Sequence, residues 1–336
     1  MSEMKEMLVE VVEKMLKDKV EKEDVDVLEQ GQWGEALWNL LDENGMINIA
    51  VPEEQDGAGG DKEDLFAVYQ LIGKYAAPIP FVEHTLANVL LNEVGEIAQQ
   101  TLTTLHLANS VETTLPFVPW ARHAEQVVVV TPEKLVVLPL ADAVITETTN
   151  IASEPRDTVE VTAAPTVEVA LSAAQYKQLM KIITASTIVK TSGALEKAFD
   201  LTVRFSKERE QFGRPIHRFQ LVQQHLALMA GEQAIISVAA ENILASLETL
   251  ESNDVGYARL RLEDANRVIA ASAHQVHAAI GVTDEHSLNH YTRRIWSWRD
   301  ELVKSDYWKK ELVHDILTSS TDIWTSLTAS KQAQNV

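Results

Sequence analysis

The chain has 336 residues, enough for two or three domains, and an ordinary globular composition (46% hydrophobic, 24% charged) that can furnish a sizeable core. Its 50 Asp and Glu outnumber 29 Lys and Arg, and the formal net charge of −21 argues against nucleic acid or an anionic membrane surface as a general partner. With no cysteine there is no disulfide, thiolate nucleophile, Cys-ligated zinc or iron–sulfur cluster, in keeping with a reducing compartment.

The opening "MSEMKEMLVEVVEKMLKDKVEKEDVD" is charged and amphipathic and lacks the apolar core of a signal peptide. No apolar run reaches the length of a membrane span, so the sequence reads as a soluble cytoplasmic protein with no membrane partner. Apolar residues from Met4 to Leu16 recur at helical spacing and predict a helix over residues 4–18. A second helix covers "WGEALWNLLDENG" and stops at Gly45; another begins near Asp61, where acidic residues suit the helix dipole. "PIPFVEHTLANVLLNEVG" supplies one more.

Near residue 111 the character changes to β-branched runs broken by Pro and short polar turns, and this continues to about residue 171. From Ser172, an expected N-cap, the helical period returns in one long helix that Gly213 and Pro215 stop. A new helix starts close to Phe219, with long stretches at about 219–250 and 254–279, a turn at "IGVTDEHS", and terminal helices. The expected fold is therefore mainly α: an N-terminal helical domain (1–110), a short middle β domain (111–171) and a C-terminal four-helix bundle (172–336).

The turn between the two long helices concentrates Arg204, Lys207, Arg209, Arg214 and Arg218 against Glu208 and Glu210. It also presents the N-terminus of the second helix, where free N–H groups add partial positive charge, so phosphate is the natural ligand. Arg209 can make a bidentate contact to a diphosphate, Gln220 can read a neighbouring polar group, and Phe212 offers a flat surface. The plain alternative is a helix hairpin with solvated charges.

The stretch "REQFGRPIHRFQLVQQHLALMA" resembles the R-x-x-F-G-x-P-I-x-x-F-Q signature of acyl-CoA dehydrogenases. "NGMINIAVPEEQDGAGG", "VPWARHAEQVVVV" and "AHQVHAAIGVTDEHSLNHYTRR" are similar, in the same order, to that family's N-terminal, middle and late segments. The resemblance implies FAD binding and α,β-desaturation of an acyl-CoA thioester. It places Arg209, Phe212 and Gln220, with Gln211 beside them, at the adenosine-diphosphate half of a FAD that lies mostly in a neighbouring protomer. Gln275 and Gly281 match the later cofactor-approaching segment. It further implies an oligomer, either of this chain or with a larger acyl-CoA dehydrogenase-like subunit, and an electron-transfer flavoprotein as electron acceptor.

The chain also departs from that pattern. The family's catalytic glutamate position falls on Leu302 here, and the alternative position on the first bundle helix falls on Ile183; neither can take a proton. Glu301, one residue away, is the remaining candidate base, although "WRDELVKSDYW" also reads as an exposed helix with charge pairs. The family's glycine pair is Ala278-Ala279, its Arg-Asp pair is Arg293-Arg294, and its flavin-facing T-E-P-x-x-G-S stretch is missing. Short chains of this kind resemble the smaller subunit of heteromeric acyl-CoA dehydrogenases, including those acting on steroid side chains. The competing expectation is a non-catalytic scaffold that has lost flavin binding.

No metal is assigned. His274, His277, His286 and His290 lie close together near Glu285, and His274 with His277 could share a zinc. A di-iron bundle, however, needs two Glu-x-x-His pairs and the sequence has one, Glu311 with His314.

Overall fold

The computed structural model describes residues 3–319 except residue 56, together with residues 322, 324 and 325. Five helices build the N-terminal region: α1 (Glu3–Lys19), α2 (Lys22–Asp26), α3 (Glu35–Glu43), α4 (Lys62–Tyr75) and α5 (Phe81–Glu93). The start of α4 is set by a reciprocal cap. Asp61 accepts from the Asp64 N–H at 2.8 Å, and the Asp64 carboxylate accepts from the Asp61 N–H at 3.4 Å.

Seven strands follow: β1 (Thr103–Leu107), β2 (Thr114–Pro119), β3 (Gln126–Val130), β4 (Lys134–Pro139), β5 (Val144–Thr146), β6 (Arg156–Glu160) and β7 (Val167–Ala170). They form a four-stranded sheet in the order β1-β3-β4-β7 and a three-stranded sheet in the order β2-β6-β5. Strand β1 lies ahead of the compositional change at residue 111. Its parallel partner β3 is a buried valine run that serves two cores. Val128 and Val130 face the helices, while Val127 and Val129 face the smaller sheet, as strand alternation requires.

The C-terminal bundle comprises α6 (Ala173–Glu208), a hairpin of β8 (Glu210–Gln211) and β9 (Arg214–Pro215), then α7 (Gln220–Ala245), α8 (Ser252–His277), α9 (Leu288–Asp300) and α10 (Ser305–Thr318). Ser172 caps α6 as its sequence suggests: its hydroxyl accepts from the Gln175 N–H at 3.3 Å. The helix after Phe219 ends at Ala245, and a 3-10 turn at Leu247–Thr249 leads into α8. No helix among the described residues is long and apolar enough to cross a membrane.

Helix α6 is the central post, and α4 lies against it at backbone distance. A Cβ on Gly73 would sit 1.8 Å from the Lys190 carbonyl oxygen, and one on Gly193 would sit 2.0 Å from that of Gln70. Both glycines are there because two backbones meet. The contact fixes where Lys190 and its neighbours on α6 stand relative to the N-terminal helices.

Histidines make this packing pH-sensitive. His84 on α5 accepts the Thr103 N–H through Nδ1 at 3.1 Å, which ties α5 to β1. Burial pushes His84, His277 and His290 from the usual 6.5 down to about 4; for His290 the nearby Arg294 adds to this and the Asp26 contact opposes it. Between those two values the unfolded chain binds more protons than the folded one, so stability must rise with pH there. Urea midpoints should be flat above about pH 6.5 and fall steadily as the pH drops towards 4. A midpoint that rises or stays level on acidification over that window would show that these rings are protonated in the folded protein.

Candidate active site

The hairpin after α6 turns through Phe212 and Gly213, both left-handed at φ 54° and 77°. A two-residue loop of this kind ordinarily takes Asn-Gly, and a phenylalanine held there is strained by about 1–3 kcal/mol. The Phe212 ring is 92% exposed and meets Phe219 edge-on at 6.0 Å, while the Arg214 guanidinium lies 4.3 Å over the Phe219 ring. Arg204 is paired with Glu208 at 2.8 Å. Lys207, Arg209, Arg214 and Arg218 have no carboxylate partner among the described residues, in a chain with a large acidic excess. Gln211 and Gln220 are exposed beside them, and α7 starts without a side-chain cap, so its first N–H groups are open to an anion.

The end of α8 lies at the same end of the bundle, joined to α7 by the contact of His225 Nδ1 with Ser272 Oγ at 3.2 Å. Gln275 is exposed there. Ala278, which ends α8, has φ 55° and ψ −140°, a backbone that glycine adopts freely and alanine does not. Gly281 is buried; a Cβ on it would lie 2.7 Å from the His277 Cβ, so packing alone requires glycine at that position. Of the gathered histidines, His274 stacks on Trp296 and His277 stacks on Phe205, with His286 set edge-on to both His277 and Phe205. His277 donates from Nδ1 to the Ala273 carbonyl at 2.9 Å. Glu311 pairs with Lys177 at 2.8 Å.

A cavity of about 730 Å³ opens elsewhere, where α5, β1, β2, α6 and the end of α9 meet. Its walls are largely apolar, with Leu86, Leu105, Phe117 and Ile151, and they include Ser186, Thr187 and Lys190 of α6. Ile183 is fully buried in the main core and lies off the cavity. Leu302 stands in the wall, left-handed at φ 49°, and divides this space from a polar cleft of about 400 Å³ lined by Asn109, Ser110 and Tyr176. Phe117, also in the wall, is left-handed at φ 57°.

Glu301 lines the same cavity, but its carboxylate is engaged: it accepts from Arg156 at 2.7 Å and from the Asn150 amide at 2.8 Å. Behind it lies the buried Glu154, which accepts from Arg156 and Asn150, each at 3.0 Å, and from the Trp298 indole N–H at 2.9 Å. Arg294 Nε stands 3.2 Å from Glu154, close enough to pair although out of line for a hydrogen bond. Burial alone would raise the Glu154 carboxyl. Arg156 and Arg294 outweigh it, with help from Lys190 and Asn150, and hold it at about 2. Burial likewise disfavours the Arg156 cation, and Glu301 with Glu154 reverses this to push its pKa up. Lys190 lies 4.2 Å over the Trp298 ring and 3.8 Å from Glu83, another wall residue.

The sequence reading missed this cluster. Glu154 and Arg156, at the turn into β6, belong to no motif in the sequence, and neither does Trp298. The lone signal available was the Arg293-Arg294 pair, since a second arginine on a buried helix face needs a carboxylate partner.

Residues 2–108 match the acyl-CoA dehydrogenase N-terminal domain and residues 178–299 the acyl-CoA dehydrogenase C-terminal domain, together more than half of the chain. The acyl-CoA dehydrogenase IpdE2 of Mycolicibacterium smegmatis is 28% identical over 308 residues, which cover 88% of this chain and 93% of that one. The protein of the same name from Mycobacterium tuberculosis is 28% identical over 279 residues, with 78% and 80% covered. Among solved structures, the ChsE4-ChsE5 complex from Mycobacterium tuberculosis has a similar fold, with a TM-score of 0.82 at 19% identity over 96% of this chain and 99% of that one. The Tcur3481-Tcur3483 steroid ACAD G363A variant gives 0.83 at 19% identity, over 94% and 98%.

The backbone at Ala278 yields a direct test. Ala278→Gly relieves the left-handed strain at the cost of a more flexible unfolded chain, and should raise the unfolding free energy by about 1 kcal/mol in urea titrations. A loss of stability would mean that the Ala278 methyl makes packing contacts worth more than the strain.

Proposed function

The chain belongs to the acyl-CoA dehydrogenase family, and from that premise we propose that it is a subunit of a FAD-dependent enzyme that desaturates an acyl-CoA thioester between its α and β carbons, with a partner chain completing the site. The observation that carries this reading is the contrast between the two candidate places. At the hairpin, Lys207, Arg209, Arg214 and Arg218 have no carboxylate partner among the described residues, α7 starts without a side-chain cap, and the strained Phe212 ring is held out to solvent. Those residues suit the diphosphate and adenosine end of FAD, with Gln211, Gln220 and Gln275 as polar contacts and Gly281 holding the α8 terminus in shape. At the cavity, the chemistry needs a free carboxylate, and those in the wall are engaged: Glu301 by Arg156 and Asn150, Asp300 by Arg299 at 2.6 Å, and Glu83 by Lys190 at 3.8 Å, while the family's base positions carry Leu302 and, off the cavity, Ile183.

FAD, when bound, would accept the hydride from the β carbon. The α-proton must go to a carboxylate free to lie against the thioester, and both carboxylate oxygens of Glu301 already accept hydrogen bonds, from Arg156 and Asn150. Glu301 is thus assigned to holding Arg156 and the cavity wall, and the base to the partner. The IpdE2 relatives are named acyl-CoA dehydrogenases, and the ChsE4-ChsE5 neighbour is a complex of two named chains, which supports a two-chain enzyme of this class. The steroid ACAD neighbour supports a bulky acyl group as substrate. Electron-transfer flavoprotein is the acceptor the family implies.

The test is a FAD titration, followed by visible absorbance, on the chain purified with the acyl-CoA dehydrogenase-like chain that accompanies it in the native cell. Tight binding by the complex that weakens tenfold or more in Arg209→Ala is the expected result, about the worth of one charge-assisted contact. Binding indifferent to Arg209, or a complex that never takes up flavin, would favour a scaffold with this fold.

A further inference from the structure

We propose that the far end of the cavity is a subsite for a hydroxyl group carried by the acyl chain, held between Lys190 and Glu83. The inference takes from the preceding reading only that the cavity receives an acyl chain; it uses neither the flavin nor the choice of base. Lys190 is a buried cation with no hydrogen-bond acceptor among the described residues. Its side chain is 10% exposed, and its ammonium stands 3.8 Å from the Glu83 carboxylate, beyond hydrogen-bond length. Lys62, Lys74 and Lys177 are less buried, at 18%, 25% and 32%, yet they reach carboxylates at 2.7, 3.0 and 2.8 Å. The Trp298 face, 4.2 Å from the Lys190 ammonium, attracts its charge without supplying an oxygen. Glu83 in turn accepts no hydrogen bond among the described residues. Buried groups of this kind are nearly always hydrogen-bonded, and a gap of this length between two of them ordinarily holds a third atom.

The chemistry of the gap selects the atom. A hydroxyl oxygen about 2.8 Å from both groups accepts from the Lys190 ammonium and donates to the Glu83 carboxylate. A ketone would leave Glu83 without a donor, and a carboxylate would meet Glu83 as a like charge. Across this network Lys190, Arg156 and Arg294 already balance Glu83, Glu154 and Glu301, so the group that fits is neutral. Ser297 of α9, next to Trp298 in the chain, adds a second open group. It lines the same cavity at 7% exposure, and its hydroxyl has no partner among the described residues. Ser186 and Thr187, also in the wall, instead turn back and donate to the Ile183 carbonyl.

Position sets where on the acyl chain the hydroxyl lies. Leu302 closes the end of the cavity that adjoins the polar cleft, and there α6 contributes Tyr176 and Met180. Lys190 is ten residues beyond Met180, about 15 Å further along the same helix. The close backbone approach at Gly73 fixes it there. Between the two ends run apolar walls that include Val82 and Leu86. The hydroxyl therefore sits remote from the thioester, at the far end of an otherwise apolar group.

The test is calorimetric binding of S-alkyl-CoA thioethers, octyl to dodecyl, to the chain in complex with its partner. These analogues lack the thioester carbonyl and are not desaturated, so the readout is binding alone. At the chain length that fits, the ω-hydroxyalkyl thioether should bind at least tenfold more tightly than its unsubstituted parent, and the ω-carboxyalkyl one more weakly than the ω-hydroxyalkyl. Glu83→Leu combined with Lys190→Met removes both charges together, so neither is left buried alone. The double variant should lose the preference for the hydroxyl while binding the unsubstituted thioether within about threefold of the wild type. Ser297→Ala, a milder change, should reduce the preference in part. Equal affinities in the wild type, a preference that survives the double variant, or tightest binding of the ω-carboxyalkyl thioether would overturn the subsite and leave the acyl-CoA reading standing. A complex that takes up none of the thioethers would overturn both.

Discussion

The carboxylate of Glu154 is the charge around which the three parts of the molecule are assembled. It is buried, and it persists as an anion because guanidiniums, an indole N–H and an amide converge on it. Taking such groups out of water is costly, and a buried charge network is weak grounds for stability in itself. What it supplies is registry. Arg156 and Asn150 come from the β region and Arg294 and Trp298 from the bundle, so these contacts set how the β region docks on α9. Lys190, placed by the Gly73–Gly193 backbone contact between α4 and α6, closes the network towards α5 through Glu83.

That registry has a chemical consequence. The same arginine that steadies Glu154 also holds Glu301, and the cavity where a free carboxylate would be needed is walled by paired charges and by a left-handed Leu302. Opposite conditions prevail at the hairpin, where four cations have no carboxylate partner among the described residues, the aromatic ring is exposed and the backbone is strained. Charge satisfied at one place and left open at the other is the physical basis for the proposal that this chain holds a nucleotide and a partner takes the proton. Four of the seven non-glycine residues with positive φ among the described residues lie at these two places, Phe212 and Ala278 at the hairpin end and Phe117 and Leu302 in the cavity wall, while Ala76, Trp120 and Ser153 lie elsewhere.

Much of this was legible in the sequence wherever the determining interaction is local. The starts of α4 and α6 follow from Asp61 and Ser172, each of which satisfies N–H groups within three residues. The hairpin and its cations lie in one continuous stretch. Legibility failed where the determinant is remote in the chain. Strand β1, "TTLHL", looks like the tail of a helical region until its parallel pairing with β3 is known. The bond from Arg156 to Glu301 spans 145 positions, and its meaning for Glu301 as a base could not be read from either segment. The glycines of the α4–α6 contact gave no hint that each meets the backbone of the other helix, and Leu302 gave none of its backbone hand.

The most direct test of the central claim is anaerobic mixing of acyl-CoA thioesters with the chain in the presence of FAD, watching the visible flavin band, first with the chain alone and then with its partner. The account predicts no bleaching by the chain alone and bleaching once the partner is present. Bleaching by the isolated chain that disappears in Glu301→Gln would contradict it, since Glu301 would then be free to act as the base.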